Sequence, residues 1–230
     1  MKKILPFLFI PALFSCSVNK MTREPASRIS GFNFSQTSQV MATYALLPRG
    51  TNPEAGYAAY GFVLSPSSGQ ESRDKLAQLC YRMTENLNPD TDTDFPLPSR
   101  VPTYWLVRQQ TESHSFCSTA IPDYDYERAR DLTSAAGLKG SGPFLVAWQI
   151  PFNSQNQLEI DLGALTPEQM GDVVEWWKDK VVQSPSTWQE GYNFEILRWK
   201  LVAFINTRSD GILKAFTFIQ DGQSIQLAAR

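Results

Sequence analysis

One pair of residues in this sequence has the types needed for nucleophilic catalysis. His114 and Cys117 lie three positions apart and could serve as a base and a nucleophile. Working Cys–His pairs are usually assembled from distant segments, and a third group orients the base. The sequence offers no identifiable third group. We therefore interpret His114 as a residue at the end of a strand and assign no catalytic residue.

A run of alternating aspartates could bind a cation. Asp90, Asp92 and Asp94 follow the spacing of the first ligands in an EF-hand calcium loop. That loop also needs a glycine at its sixth position and a glutamate at its twelfth. Phe95 and Val101 occupy these two positions. The run therefore predicts a solvated loop, and we predict no metal site and no cofactor.

A second acidic group follows Pro122. Asp123, Asp125 and Glu127 would lie in the first turn of a helix that Pro122 opens, because proline is favoured at the first helical position. Carboxylates in the first turn are stabilised by the positive end of the helix dipole. The dipole accounts for these acids without an acid/base role in catalysis.

Cys80 and Cys117 are the fourth candidate group. A disulfide between them would stabilise the fold by about 3 to 4 kcal/mol in the chain-entropy model. The alternative is a pair of unlinked thiols, since free cysteine behaves as a small apolar core residue. The sequence leaves both interpretations open.

The hydrophobic pattern predicts the elements that position these residues. Residues 71–87 form a helix whose apolar stripe contains Leu76, Cys80 and Met83. A second helix runs from Pro122 to a stop at Gly137, and a third begins with the capping box of Thr166 and Gln169. Strands are predicted at 40–47, 57–64, 103–109, 144–150 and 158–162, the first two forming a hairpin around the loop 48–56. This predicts a mixed α/β fold with about three helices.

The order of elements over residues 57–182 is strand, helix, strand, helix, strand, strand, helix. This order resembles the thioredoxin fold, and Pro143 stands directly before the third of these strands, where thioredoxins have a cis proline. The redox Cys-x-x-Cys of that family is missing, because the loop after the first strand is Ser65-Pro-Ser-Ser-Gly-Gln70. The resemblance thus implies a scaffold without dithiol redox activity. Other α/β arrangements remain open.

The C-terminal region predicts an antiparallel meander. Asp210-Gly211 and Asp221-Gly222 separate the runs 194–206, 212–220 and 224–228, and Asp-Gly is a strong signal for a hairpin turn. The first run is compatible with a strand or a helix.

Two tryptophans are candidates for a partner surface. Trp177 belongs to the buried stripe of the third helix, whereas Trp176 lies to its flank and Trp188 follows the helix. Partly exposed aromatic residues suit an envelope protein or a glycan partner.

The first sixteen residues carry a targeting signal. Lys2 and Lys3 precede an uncharged apolar run of eleven residues, Ile4–Phe14, which is too short to span a membrane. The sequence Leu13-Phe-Ser-Cys16 resembles the lipobox of bacterial lipoproteins. That family implies cleavage before Cys16, lipid attachment to Cys16, and, because Ser17 is not aspartate, transport to the outer membrane. The predicted organisation is a removed signal peptide (1–15), a lipidated flexible tether (16–38) and a single α/β domain (39–230).

Composition restricts the partners. The precursor has 21 basic and 23 acidic side chains, and loss of Lys2 and Lys3 leaves 19 against 23, a net charge of −4. The chain has no basic run, so it does not suit nucleic acid. We therefore expect a lipoprotein at the periplasmic face of the outer membrane that acts as a non-catalytic binding or assembly module. The alternative is an envelope enzyme on a thioredoxin-like scaffold.

Overall fold

The protein has a mixed α/β fold, as the sequence predicts. The computed structural model describes residues 40–91, 95–109, 115–153, 157–182, 203, 215–220 and 223–225. In chain order the strands are β1 (Met41–Pro48), β2 (Tyr60–Leu64), β3 (Asn88–Pro89), β4 (Arg100–Val107), β5 (Phe144–Trp148), β6 (Gln157–Asp161), β7 (Phe216–Gln220) and β8 (Gln223–Ile225). The helices are α1 (Gln70–Asn86), α2 (Phe116–Ala120), α3 (Tyr126–Ala135) and α4 (Pro167–Trp176). A short 3₁₀ helix, Leu97–Ser99, precedes β4, and a π-helical segment, Trp177–Val182, continues α4. None of the described helices is long and apolar enough to span a bilayer.

The strands form one mixed sheet in the order β3-β1-β4-β2-β5-β6-β7-β8. β1 and β2 both run parallel to β4, which lies between them, and β5 to β8 continue the sheet in antiparallel pairs. The predicted hairpin of residues 40–47 and 57–64 is therefore wrong. Seven of the eight residues of β4 are buried, and a strand with two buried faces belongs between neighbours rather than at an edge.

Register defines the two faces of the sheet. Gly61, Ala147 and Leu158 are consecutive partners on one face, and Tyr60, Trp148 and Gln157 are partners on the other. The first face is covered near Gly61 by the Trp177 indole, whose Nε1 donates to Thr103 Oγ1 at 3.2 Å. A side chain at Gly61 would lie 2.8 Å from that indole, so a close approach explains this glycine.

α3 lies on the second face, and it begins later than predicted. Pro122 belongs to the turn after α2, and Asp125 is the N-cap, accepting from the Arg128 amide at 3.1 Å. A side chain that accepts from the third helical amide fixes the start more strongly than a proline does. The predicted stop at Gly137 is confirmed. Gly137 has a φ of 68°, and the Leu138 amide donates to Thr133 O at 3.1 Å, which completes a Schellman motif.

The capping box that opens α4 is confirmed. Thr166 Oγ1 accepts from the Gln169 amide at 3.3 Å, and Gln169 Oε1 accepts from the Thr166 amide at 3.0 Å. The prediction that Trp176 is partly exposed is wrong, because its exposed fraction is 2%. Its ring packs edge-on against Phe216 of β7, at 5.0 Å between centroids, so the tryptophan belongs to the core.

Several predictions lie outside the described residues: Cys16 and the tether, Asp92, Asp94, His114, Trp188, and all of 194–206 except Ala203. The final hairpin is confirmed, since β7 pairs antiparallel with β8 in a register that leaves two residues between Gln220 and Gln223. The amino end of the sheet is where β1, β2 and β4 begin, and the carboxyl end is where they finish.

Candidate functional site

Three loops meet at the carboxyl end of the sheet. The loop after β2, residues 65–69, passes beside the Gly142–Pro143 peptide, which is cis. A side chain at Gly142 would lie 3.0 Å from Pro66 Cδ, so the two loops are in contact. The third loop follows β6, and Asp161 holds it. Asp161 Oδ1 accepts from the Gly142 amide at 3.1 Å and from the Gly163 amide at 2.8 Å. In open α/β sheets, ligands commonly bind at this end.

Buried hydrogen bonds fix the loop after β2. Tyr124 Oη donates to Val63 O at 2.7 Å and accepts from the Ser65 amide at 2.8 Å. Burial raises the pKa of the Tyr124 phenol, which therefore stays neutral at physiological pH. Arg73 Nε donates to Ser68 O at 2.7 Å, and Arg130 Nε donates to Pro66 O at 3.3 Å. Both guanidinium groups thus hold the loop in place.

In the part of the chain that the structure describes, this loop has no hydroxyl that is activated to break a covalent bond. Ser65 Oγ donates to Ser67 O at 3.2 Å, and Ser67 Oγ accepts from the Gly69 amide at 3.2 Å. In the described part of the chain, neither hydroxyl is hydrogen-bonded to a carboxylate or an amine that could activate it.

Cys80 and Cys117 form a disulfide, which is one of the two interpretations that the sequence leaves open. It joins α1 to α2 with a Cα–Cα distance of 5.9 Å, and both residues are buried. A sulfur in a disulfide cannot act as a thiolate nucleophile. Cys117 is therefore a structural residue in this state.

The acids near α3 are explained by a partner that sequence analysis missed. Arg49, in the turn after β1, binds both carboxylate oxygens of Asp125, with Nε–Oδ2 at 2.6 Å and Nη2–Oδ1 at 2.5 Å. Burial raises the pKa of Asp125, but the hydrogen bonds from Arg49 and from the Arg128 amide lower it by more, so the net pKa lies below the usual value. Arg49 Nη2 also reaches the exposed Glu127 at 2.9 Å. This cluster fastens β1 to α3.

Asp90, the first residue of the aspartate run, binds other side chains of the protein. Its Oδ1 accepts from Thr43 Oγ1 at 2.8 Å, its Oδ2 accepts from the Tyr57 phenol at 2.5 Å, and Arg100 Nη1 lies 3.4 Å from Oδ1. Burial, followed by the hydrogen bond to Asp90, raises the pKa of Tyr57. Both carboxylate oxygens of Asp90 thus have hydrogen-bond partners within the protein. Over the described ranges, no three histidine, cysteine or acidic side chains converge on a possible metal position.

A column of polar side chains on β6 was not predicted. Gln157, Glu159 and Asp161 alternate along the strand on the face that α3 covers, and Gln157 Nε2 donates to Ala136 O at 3.0 Å. Glu159 is only 4% exposed, and burial raises its pKa to about 7 despite a hydrogen bond from the Lys139 amide. Alternating polar residues in a strand indicate a solvent-facing side. Here they bind the backbone of the connection between α3 and β5.

The amino end of the sheet holds a cavity of about 140 Å³. Its walls come from the start of β1, the end of α1 and the segment after α4, and they are Val40, Met41, Ala42, Asn86, Asn88, Phe95 and Lys178. Pockets for small-molecule ligands usually measure about 300–1,000 Å³. This cavity is therefore too small for a ligand of that class.

Two of the predicted site residues meet, and a third is buried. Cys80 and Cys117 come together as a disulfide, whereas Trp176 is buried and offers no partner surface. Comparisons with protein-family models, curated proteins and solved structures found no match for this chain.

Proposed function

We propose that this protein is a lipid-anchored module at the periplasmic face of the outer membrane that works by binding and not by catalysis. The lipobox ending at Cys16 motivates the anchor. The rigid loops at the carboxyl end of the sheet, with no activated nucleophile among the described residues, favour binding to an envelope protein or a glycan over catalysis.

The observation that carries the proposal is the Cys80–Cys117 disulfide. Disulfides form and persist in oxidising compartments such as the bacterial periplasm and are rare in the cytosol. A structural disulfide therefore supports export of the chain. Export in turn supports the interpretation of residues 1–15 as a signal peptide, and lipid attachment at Cys16 follows from the same motif.

A thioredoxin-like scaffold is the second part of the proposal. The strand order β4-β2-β5-β6, with β5 antiparallel to β2, and the cis peptide before Pro143 both support it. The loop Ser65–Gln70 takes the place of the redox dithiol, so the scaffold would serve binding. The same convergence of loops supports the alternative, an envelope enzyme without dithiol chemistry. Turnover of an envelope substrate that is lost when Ser67 and Ser68 are replaced by alanine would favour that alternative.

The anchor is tested by metabolic labelling with palmitate. Wild-type protein should incorporate the label and Cys16→Ser should not. Cys117→Ser is the matched control, because it removes a cysteine outside the lipobox and should keep the label. Equal labelling of the wild type and Cys16→Ser would refute the anchor. Ser17→Asp should move the labelled protein to the inner membrane.

The binding role is tested by crosslinking in living cells, comparing the wild type with a variant carrying Ser67→Arg and Ser68→Arg. The bulky side chains should abolish a specific crosslinked species. Tyr81→Arg, an exposed position on α1, is the control. If all three proteins give the same crosslinks, the carboxyl end is not the binding surface.

A further inference from the structure

Two large apolar side chains are exposed on the connection between β5 and β6. Ile150 is 61% exposed and Phe152 is 39% exposed, with Pro151 between them. The sequence from Gln149 to Leu158 contains no charged residue. Isolated exposed apolar residues are ordinary, but two of them two positions apart in an uncharged loop form a local apolar patch. We call residues 150–152 the apolar tip.

The core of the protein holds the apolar tip in place. The Phe152 ring packs on Phe62 and Trp148, with centroid distances of 5.1 Å and 5.8 Å. The Trp148 indole is itself fixed, because its Nε1 donates to Gln157 Oε1 at 2.9 Å. Phe152 has a φ of 64°, in the left-handed region that a phenylalanine rarely adopts. Backbone strain of this kind persists only where surrounding contacts impose it.

The apolar tip lies at the end of the sheet where the chain enters the domain. Trp148, the last residue of β5, pairs with Tyr60, the first residue of β2. β2 and β1 are both parallel to β4, so β1 also begins at this amino end. Val40, the first described residue, immediately precedes β1. Val40 and the apolar tip therefore lie at the same end of the sheet.

We propose that the apolar tip inserts into the interfacial layer of the lipid bilayer to which the protein is anchored. This inference rests on the proposed anchor at Cys16. The predicted tether of 23 residues (16–38) would have a root-mean-square length of about 25 Å if it behaves as a flexible chain. Such a tether holds the tip at a high effective concentration near the membrane, so weak insertion suffices. Insertion turns the amino end toward the bilayer and the carboxyl end, with loop 65–69, toward the periplasm.

The chemistry of the tip suits the lipid interface. Aromatic and aliphatic side chains enter the boundary between headgroups and acyl chains, and uncharged polar neighbours remain among the headgroups. Asn153 and Gln149 flank the tip in sequence. The absence of charge between Gln149 and Leu158 removes the main cost of bringing this loop to the membrane.

The test uses an environment-sensitive fluorophore on the lipidated protein, reconstituted in vesicles of phosphatidylethanolamine and phosphatidylglycerol. The other thiols are blocked by the lipid and the disulfide, so Ile150→Cys can be labelled alone. Ser68→Cys, exposed at the carboxyl end, is the matched control. We expect the Ile150 probe to shift its emission to shorter wavelength and to be quenched several-fold more strongly by spin-labelled lipid than the Ser68 probe.

A second arm separates this inference from the anchor. The Cys16→Ser chain, given a histidine tag at its mature N-terminus, is bound to the same vesicles through nickel-chelating lipid. Quenching of the Ile150 probe here supports the tip even if palmitate labelling fails, and water-like emission of both probes in this arm overturns it. The emission of the Ile150 probe could instead shift to shorter wavelength without vesicles and in proportion to protein concentration. In that case a second copy of the chain covers the tip, and the lipid assignment is wrong.

Discussion

Glu159 should make the stability of this protein depend on pH in a direction unusual for a carboxylate. Its pKa in the folded state is about 7, and its ordinary value is 4.5. Between these values the folded protein holds a proton that the unfolded chain has released. Stability from this group is therefore fully present below about pH 4.5 and is lost as the pH rises through about 7.

The magnitude follows from the shift. The difference between about 7 and 4.5 corresponds to about 3 kcal/mol, because one pKa unit is worth about 1.4 kcal/mol. Of this, about 2 to 3 kcal/mol should be lost between about pH 5 and about pH 8. Glu159→Gln keeps the shape and an acceptor for the Lys139 amide, but it cannot ionise. The variant should therefore lack this loss and be more stable than the wild type at about pH 8.

Urea unfolding at both pH values measures the effect. For each protein, the change in the free energy of unfolding between the two pH values is measured. The change in Glu159→Gln is then subtracted from the change in the wild type, because the contributions of other titrating groups cancel in that difference. Glu175→Gln, an exposed carboxylate on α4, serves as the control and should behave like the wild type. Equal pH dependence in the wild type and Glu159→Gln would show that the buried environment does not hold the proton.

Two further predictions concern the framework. Replacing Cys80 and Cys117 by alanine should lower the free energy of unfolding by about 4 kcal/mol for a crosslink spanning 37 residues. Denaturant unfolding measures this, and two reactive thiols in unreduced, unfolded wild type would contradict the crosslink. Asp125→Ala removes the cap of α3 and leaves Arg49 without its bidentate partner, so it should cost about 2 to 3 kcal/mol. Glu127→Ala, which removes an exposed ion pair, should cost less than about 1 kcal/mol, and equal losses in the two variants would refute the assignment.

Local signals in the sequence predicted local structure well. Thr166 and Gln169 define the start of α4 because each bonds the backbone of the other, and no distant residue is involved. Gly137 ends α3 for the same reason. The apolar stripe of α1 placed Cys80 toward the core, and the compartment suggested its partner. The two helix termini and the apolar stripe depend on residues a few positions apart, whereas the disulfide itself joins residues 37 positions apart.

Features that depend on distant partners were predicted less well. The pairing of β1 depends on β4, which comes much later in the chain, so the sequence between β1 and β2 resembled a hairpin loop. Asp125 was recognised as a helix-start residue, but Arg49, 76 positions away, could not be assigned to it.

The burial of two further sets of side chains was also not predicted. Trp176 lies beside the apolar stripe of an ideal helix, yet β7 packs against it from the far end of the sequence. Alternating polar residues such as those of β6 usually face solvent, but the connection between α3 and β5 covers them here.

The parallel pairing of β1 has a consequence for the order of assembly. Met41 pairs with Arg100, 59 positions further along the chain, and β3 supplies only two residues on the other side. A nascent chain appears from its N-terminus, so β1 is made first and cannot complete its ladder until β4 has been synthesised. Closing so long a loop slows folding. During that interval the apolar strand β1 has unpaired backbone groups. The N-terminal part of the domain is therefore where protection from association with other chains matters most.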